Sequence, residues 1–334
     1  MDSCNLVKST AVFMDYQFKS RRVYSHFWTL SPHLAGRFKR PRLPLGTAWS
    51  REDHRAPVAG IEASGVYHCV DEAHELAIII HGLGSGPDAS YVEQMASHCI
   101  GAGISVLRLA LRGADQKAPD FYNAAFIDDV STALDDPKLA RYSRRYLIGF
   151  SLGGHVSLWS AIKLEQSLTG VVAICPPLDL KQCQTVLDTP VINLYRKHCL
   201  DGLKRTVRAA KKRADEQGYA LDLELAYLPQ INTIYQWDDL VVAPRFGYRD
   251  ASDYYAQCSV GPHLSQLERP ALIIAATYDP MVPVEAALVY PQTDSLTIKI
   301  VDQGGHVGFP RALNLEMGGH PGLGSQTITW LRSI

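Results

Sequence analysis

The chain has 334 residues, 46% of them hydrophobic and 20% charged, which suffices for one large core or two small ones and excludes a disordered chain. Thirty-three Lys and Arg against 34 Asp and Glu leave a net charge of -1, so no global field draws a polyanion and, on charge balance alone, nucleic acid is not expected as a partner. The seven cysteines lack CxxC spacing, which fits neither a disulfide framework nor a zinc site and predicts a reducing compartment.

Residues 1–19 carry polar side chains throughout and lack the apolar centre and small-residue cleavage site of a secretory signal. The longest apolar runs fall far short of the about 20 residues that span a bilayer. A soluble cytoplasmic protein is expected. Residues 1–65 are expected to form an arm and the first strands, with the Pro/Arg-rich stretch 37–44 extended.

From about Val66 the pattern becomes strand, loop, helix, repeated. Leu76, Ala77, Ile78, Ile79 and Ile80 form an apolar, β-branched run of the kind covered on both faces in a parallel sheet. Similar runs recur at 104–111, 146–150, 171–175, 271–276 and 296–301, with amphipathic segments between most of them. Such alternation predicts an α/β fold with a mostly parallel central sheet flanked by helices. It breaks between Pro177 and Pro270, where the chain reads as helical, above all over 191–214. The expected organisation is therefore core sheet over 66–177, a helical cap insertion over 178–265, and the rest of the sheet over 266–334.

Gly149, Phe150, Ser151, Leu152 and Gly153 spell G-x-S-x-G between a strand and a helix, the setting that a nucleophile elbow requires. The serine must sit in a tight turn, so the positions two before and two after it must be small. The helix starting at Leu152 aims its amides and positive dipole end at a developing oxyanion. Its second donor is expected from the glycine-rich loop His81, Gly82, Leu83, Gly84, which makes the backbone amides of Leu83 and Leu152 the oxyanion hole. His81, opening that loop, is expected to hold it by hydrogen bonding rather than to act as a base.

An acid and then a histidine should follow, each past a strand's carboxyl end. Asp279 follows the run 271–276, and His306 follows 296–301 in a Gly-Gly-His turn. His320 is the rival histidine but reads as part of a surface turn. Asp128 and Asp129 are expected to cap a helix or face solvent, and Asp238, Asp239 and Asp253 lie in the cap interval away from strand ends. Ser151, His306 and Asp279 are thus expected to act as nucleophile, base and acid through an acyl-enzyme.

Beyond these motifs, Trp237, Asp238, Asp239 and Leu240, then Gly247 and Tyr248, then residues 253–259, Asp279 with Pro280, and residues 304–309 closely resemble the YheT-like branch of the α/β-hydrolase superfamily. The loop 81–84, the elbow 149–154 and the early string 31–34 also look like its motifs. That branch contains bacterial esterases and eukaryotic ABHD-type lipases. The resemblance implies an α/β-hydrolase fold, the same Ser151, Asp279 and His306, and hydrolysis of short or medium acyl esters or acyl transfer to an alcohol. Ser31, Asn123 and Ala110 stand where the branch usually has Asn, His and Asn.

The expected function is a serine esterase acting on short- to medium-chain carboxylic esters. The alternatives are an acyltransferase or thioesterase with the same triad and, less favoured, a non-enzymatic ligand-binding protein on this fold. In the cap, Leu187, Val191, Leu194, Leu228 and Ile234 are expected to line the acyl slot. The basic run from Lys204 to Arg213 could meet a membrane surface or an acyl-CoA phosphate, but the solvated face of a cap helix is the preferred reading. No P-loop, dinucleotide fingerprint or metal-ligand cluster is read, so no cofactor or metal is expected.

Overall fold

The structure, a computed structural model, describes residues 25–30, 41–56, 60–164 and 167–334. Residues 1–19, the string 31–34 and the basic residues Arg37, Lys39 and Arg40 lie outside them. An eight-stranded sheet runs in the order β1 (Thr47–Glu52), β2 (Glu62–His68), β4 (Ser105–Ala110), β3 (Glu75–Ile80), β5 (Arg144–Phe150), β6 (Gly170–Ile174), β7 (Ala271–Ala276), β8 (Leu296–Val301). The first two pairings, β1 with β2 and β2 with β4, are antiparallel, and every pairing from β4 across to β8 is parallel. All six apolar runs of the sequence are the parallel strands, two with the expected ends and four with ends shifted by one or two residues.

Two-residue periodicity divides the strands between two cores. Ile78, Ile80, Leu107, Leu109, Leu147, Val171, Ala173 and Ile273 join one buried cluster. Ala77, Ile79, Val106, Tyr146, Ile148, Val172, Leu272 and Ile274 join the other. The second cluster is closed by α1 (Ser90–Gly101), through Val92, Met95 and Cys99, and by the last helix, Leu323–Ser333, through Ile328, Trp330 and Leu331. The first is covered by α2 (Asp128–Leu134), by α3 (Leu152–Lys163) and by the helices inserted between β6 and β7.

That insertion contains α4 (Leu180–Leu187), α5 (Asn193–Gln217), the short α6 (Ile234–Trp237), α7 (Ala243–Phe246) and α8 (Ala251–Cys258), and no described strand. Helix α5 starts two residues later than expected, because Pro190–Ile192 forms a 3-10 turn first. Its basic residues sit on the solvated side: Arg205, Arg208, Lys212 and Arg213 are exposed. Lys211 pairs with Asp215, and Lys212 lies 3.8 Å from Glu216. Among the described residues no helix is long and apolar enough to cross a membrane. The six described cysteines form no disulfide with one another.

Asp129 departs from its expected place at the surface. Its side chain is fully buried and binds Arg112 from two sides: Arg112 N–H donates to Oδ2 at 2.6 Å and Nε–H to Oδ1 at 2.8 Å. Arg112 also donates to Asp53 at 2.6 Å. The triad of charges ties α2 to the end of β4 and to the loop after β1. A helix N-terminus next to a sequence-distant arginine is what draws the carboxylate inward, and the local pattern carries no sign of it.

Candidate active site

Loops at the carboxyl ends of β3, β5, β7 and β8 converge on one cavity of about 430 Å³. Ser151 leaves β5 at φ 53°, ψ -122° before α3 begins. A non-glycine residue at positive φ is strained and persists where its surroundings fix it. Here Ser151 N–H donates to Ile174 O of the adjacent strand at 2.8 Å. The elbow closes because Gly149 and Gly153 have no side chain: a Cβ on Gly149 would run into the Gly153 carbonyl, and one on Gly153 into the carbonyls of Ile80 and His81.

Ser151, His306 and Asp279 lie in one hydrogen-bonded chain. Asp279 Oδ2 is 2.8 Å from His306 Nδ1, and His306 Nε2 is 2.8 Å from Ser151 Oγ. An ionised carboxylate can only accept, so Nδ1 carries the proton and Nε2 accepts from the serine hydroxyl. The other oxygen of Asp279 accepts the amides of Met281 and Val282 at 2.8 and 3.0 Å, which fixes the carboxylate. The side chains of His306 and Asp279 are almost wholly buried.

The glycine loop is organised by two buried tyrosines. Gly82 N–H donates to Tyr91 Oη at 3.0 Å and Gly84 N–H to Tyr122 Oη at 2.9 Å. The amide of Leu83 lies between them without an acceptor among the described residues, as does that of Leu152 at the first position of α3, and both residues line the cavity. His81 is fully buried, its pKa pushed down to about 4 by burial. Its Nδ1 lies 2.9 Å from Gly82 O, and its Nε2 accepts Leu111 N–H at 3.2 Å, so the neutral ring pins the loop to the end of β4.

The other residues weighed from sequence fall elsewhere. His320 is exposed in the turn before the last helix. Asp239 accepts the amide of Ala251, and Asp253 that of Arg249. Asn123 lines the cavity and accepts Ala125 N–H. Of the expected acyl-slot residues, Leu187, Leu194 and Ile234 line the cavity. Val191 and Leu228 do not. Val191 lies in the 3-10 turn and is 87% exposed, whereas Leu228 is buried in the cluster behind the wall. Helical spacing places the other three on the inner face, but neither a 3-10 turn nor a second packing layer is visible in spacing alone.

Among the described residues one set of metal-capable donors converges, Cys175 with Asp279 and His306, their ligand atoms within 4.8 Å of one another. Asp279 already has both oxygens engaged, and burial beside it pushes the Cys175 thiol well above its usual range, which favours the protonated form over a thiolate ligand.

Thr29 is a contributor that sequence reasoning misses. It belongs to a short helical segment over residues 25–30, and its Oγ1 accepts His306 N–H at 2.8 Å while donating to Ser25 O at 2.7 Å. His26 in the same segment bonds Tyr195 of α5 at 2.8 Å and stacks on its ring. With 277 residues separating Thr29 from His306, no spacing rule could connect them. Thr29→Val keeps the shape but removes the acceptor, so kcat is expected to fall about tenfold with little change in KM, and Thr29→Ser to restore it. Equal losses in the Val and Ser variants would show that shape rather than the hydroxyl matters.

The family model described as the alpha/beta hydrolase family matches residues 77–315. Over 168 residues the chain is 34% identical to the candidate esterase YheT of Escherichia coli, a match covering 48% of each chain. It is 29% identical over 293 residues to an abhydrolase domain-containing protein of Dictyostelium discoideum, covering 82% of this chain and 72% of that one. A monoacylglycerol lipase of Saccharomyces cerevisiae is 26% identical over 250 residues, covering 72% of this chain and 56% of the relative. The chain thus spans about half the length of two of these three relatives.

Proposed function

The chain belongs to the alpha/beta hydrolase family, on its YheT-like branch, and from that membership together with the geometry we propose that it is a serine hydrolase of carboxylic esters. The observation that carries the reading is the Ser151–His306–Asp279 hydrogen-bond chain opening into a largely apolar cavity. His306 Nε2 takes the Ser151 proton as Oγ attacks the ester carbonyl, and Asp279 holds the Nδ1–H tautomer and stabilises the imidazolium. The oxyanion of the tetrahedral intermediate is received by the amides of Leu83 and Leu152. His306 then protonates the leaving alcohol, and water, deprotonated by the same histidine, releases the acid from the Ser151 acyl-enzyme.

The substrate range follows from the walls. Leu180, Leu187, Leu194, Leu203, Ile234 and Val242 from the insertion face the cavity, and each methylene buried against them contributes about 0.8 kcal/mol. A cavity of about 430 Å³ gives kcat/KM that climbs with acyl length and falls once the tail no longer fits, so uncharged short- to medium-chain esters are preferred. A panel of p-nitrophenyl esters of rising chain length tests this. Leu187→Trp or Ile234→Trp is expected to move the peak to shorter chains while Val191→Trp, outside the cavity, leaves it in place. A flat profile, or a peak fixed in all three variants, would contradict the assignment of the selector.

A further inference from the structure

We propose that Asp238 and Tyr255 form a polar subsite in the cavity wall that binds a free hydroxyl of the substrate, so that the preferred ester carries a hydroxyl group apart from the reacting carbonyl. This rests on the ester-hydrolase reading and narrows its substrate class. The neighbours of Asp238 in the chain that line the cavity, Ile234, Trp237 and Val242, are apolar. Asp238 is only 8% exposed and lines the cavity. One of its oxygens accepts the Tyr255 hydroxyl at 2.6 Å; the other has no partner among the described residues.

A buried carboxyl without a counter-ion is costly unless something bonds its remaining oxygen. Among the described residues no lysine or arginine meets Asp238: Lys181, the cation lying over the Tyr255 ring at 5.9 Å, donates instead to Gln184. Asp188, whose charge reaches Asp238, is occupied by the amides of Ile234 and Tyr235 and by the Gln184 amide group. Burial, reinforced by the Asp188 charge, pushes the Asp238 carboxyl up to about 7. The acid also opens a π-helical turn, Asp238–Val242, an element that is rare and frequent at functional sites.

The open oxygen belongs to a residue lining the cavity, where it is an acceptor for whatever fills it, water in the resting protein and a substrate hydroxyl in the complex. A substrate ammonium would have to leave water for a single, partly ionised carboxyl, whereas a hydroxyl brings no charge to desolvate. The hydroxyl can belong to the acyl chain or to the alcohol part, glycerol-like, since either half of an ester can reach the wall.

The experiment compares kcat/KM for matched substrates that differ only in a hydroxyl or its methyl ether, in one series on the acyl chain and in another on the alcohol part, with an unsubstituted ester as reference. In the unaltered protein one series is expected to favour the hydroxyl over the ether by about tenfold or more. The series that does so identifies the half of the substrate at Asp238. In Asp238→Leu the ratio should fall to near one. Asp238→Asn conserves size should the leucine variant fail to fold, and its amide donates to hydroxyl and ether alike, so there too the ratio should collapse. A ratio near one in both series, a ratio that survives in both variants, or preference for an ammonium-bearing ester would overturn the inference while unsubstituted ester turnover left the hydrolase reading standing. Absence of turnover on every ester would remove both.

Discussion

Ser151→Ala is expected to abolish ester turnover, with kcat falling about 10⁶-fold, while the protein stays folded. Alanine keeps the Cβ, so the elbow at φ 53° is no more strained than before, and the amide bond to Ile174 O is backbone and survives. What is lost is the oxygen that His306 activates at 2.8 Å. Enzymes built this way retain a residual rate about 10³- to 10⁴-fold above water from the oxyanion hole and binding alone. Thermal unfolding and steady-state assays on the same preparation separate the two effects. Near-normal turnover in a folded Ser151→Ala protein would remove the nucleophile assignment.

Asp279→Asn is expected to cut kcat by about 10⁴-fold. An asparagine oxygen can still accept the amides of Met281 and Val282, so the loop should hold its shape. Its NH₂ group, however, faces Nδ1 as a donor and selects the tautomer that protonates Nε2, which then cannot accept the serine proton. Asp129→Asn gives the opposite pattern. It weakens a buried pair and leaves part of the Arg112 charge uncompensated, which is expected to cost up to about 3–5 kcal/mol of stability while kcat of the folded fraction stays within a few-fold. Denaturation midpoints and kcat measured side by side would exchange places if the acid were Asp129.

The parallel strands β3 to β7 are legible because their apolar runs are buried on both faces, so Ala77 to Ile80 or Leu272 to Ile274 read as unbroken, whereas the edge strand β8 buries only Leu296 and Ile298. The edge strand β1 is not legible, since among its six residues only Trp49 is buried, held by its Nε1–H donating to Asp136 at 2.6 Å. The elbow and the strand-end positions of Asp279 and His306 were legible for a related reason: tight turns and sheet edges constrain residue type locally. Thr29 and Asp238 escape that logic. One acts on His306 through a backbone amide across the length of the chain, and the other lies in a π-helical turn far from any strand end. The burial of Asp129 is not legible in the sequence because Arg112, which it binds, and Asp53, which shares that arginine, come from two other parts of the chain. Where a residue's role is set by neighbours on its own element the sequence speaks; where it is set by packing between elements it does not.

The activation of Ser151 as the nucleophile of this cavity is open to direct measurement. Incubation with a fluorophosphonate, followed by mass spectrometry of the digested protein, measures it directly, because such reagents phosphonylate a serine that a general base has activated and pass over ordinary hydroxyls. A single adduct is expected on the peptide containing Ser151, blocked by prior incubation with an ester substrate and absent in His306→Ala. An unlabelled Ser151 in protein that turns over esters, or an adduct on another serine that tracks the loss of activity, would contradict it.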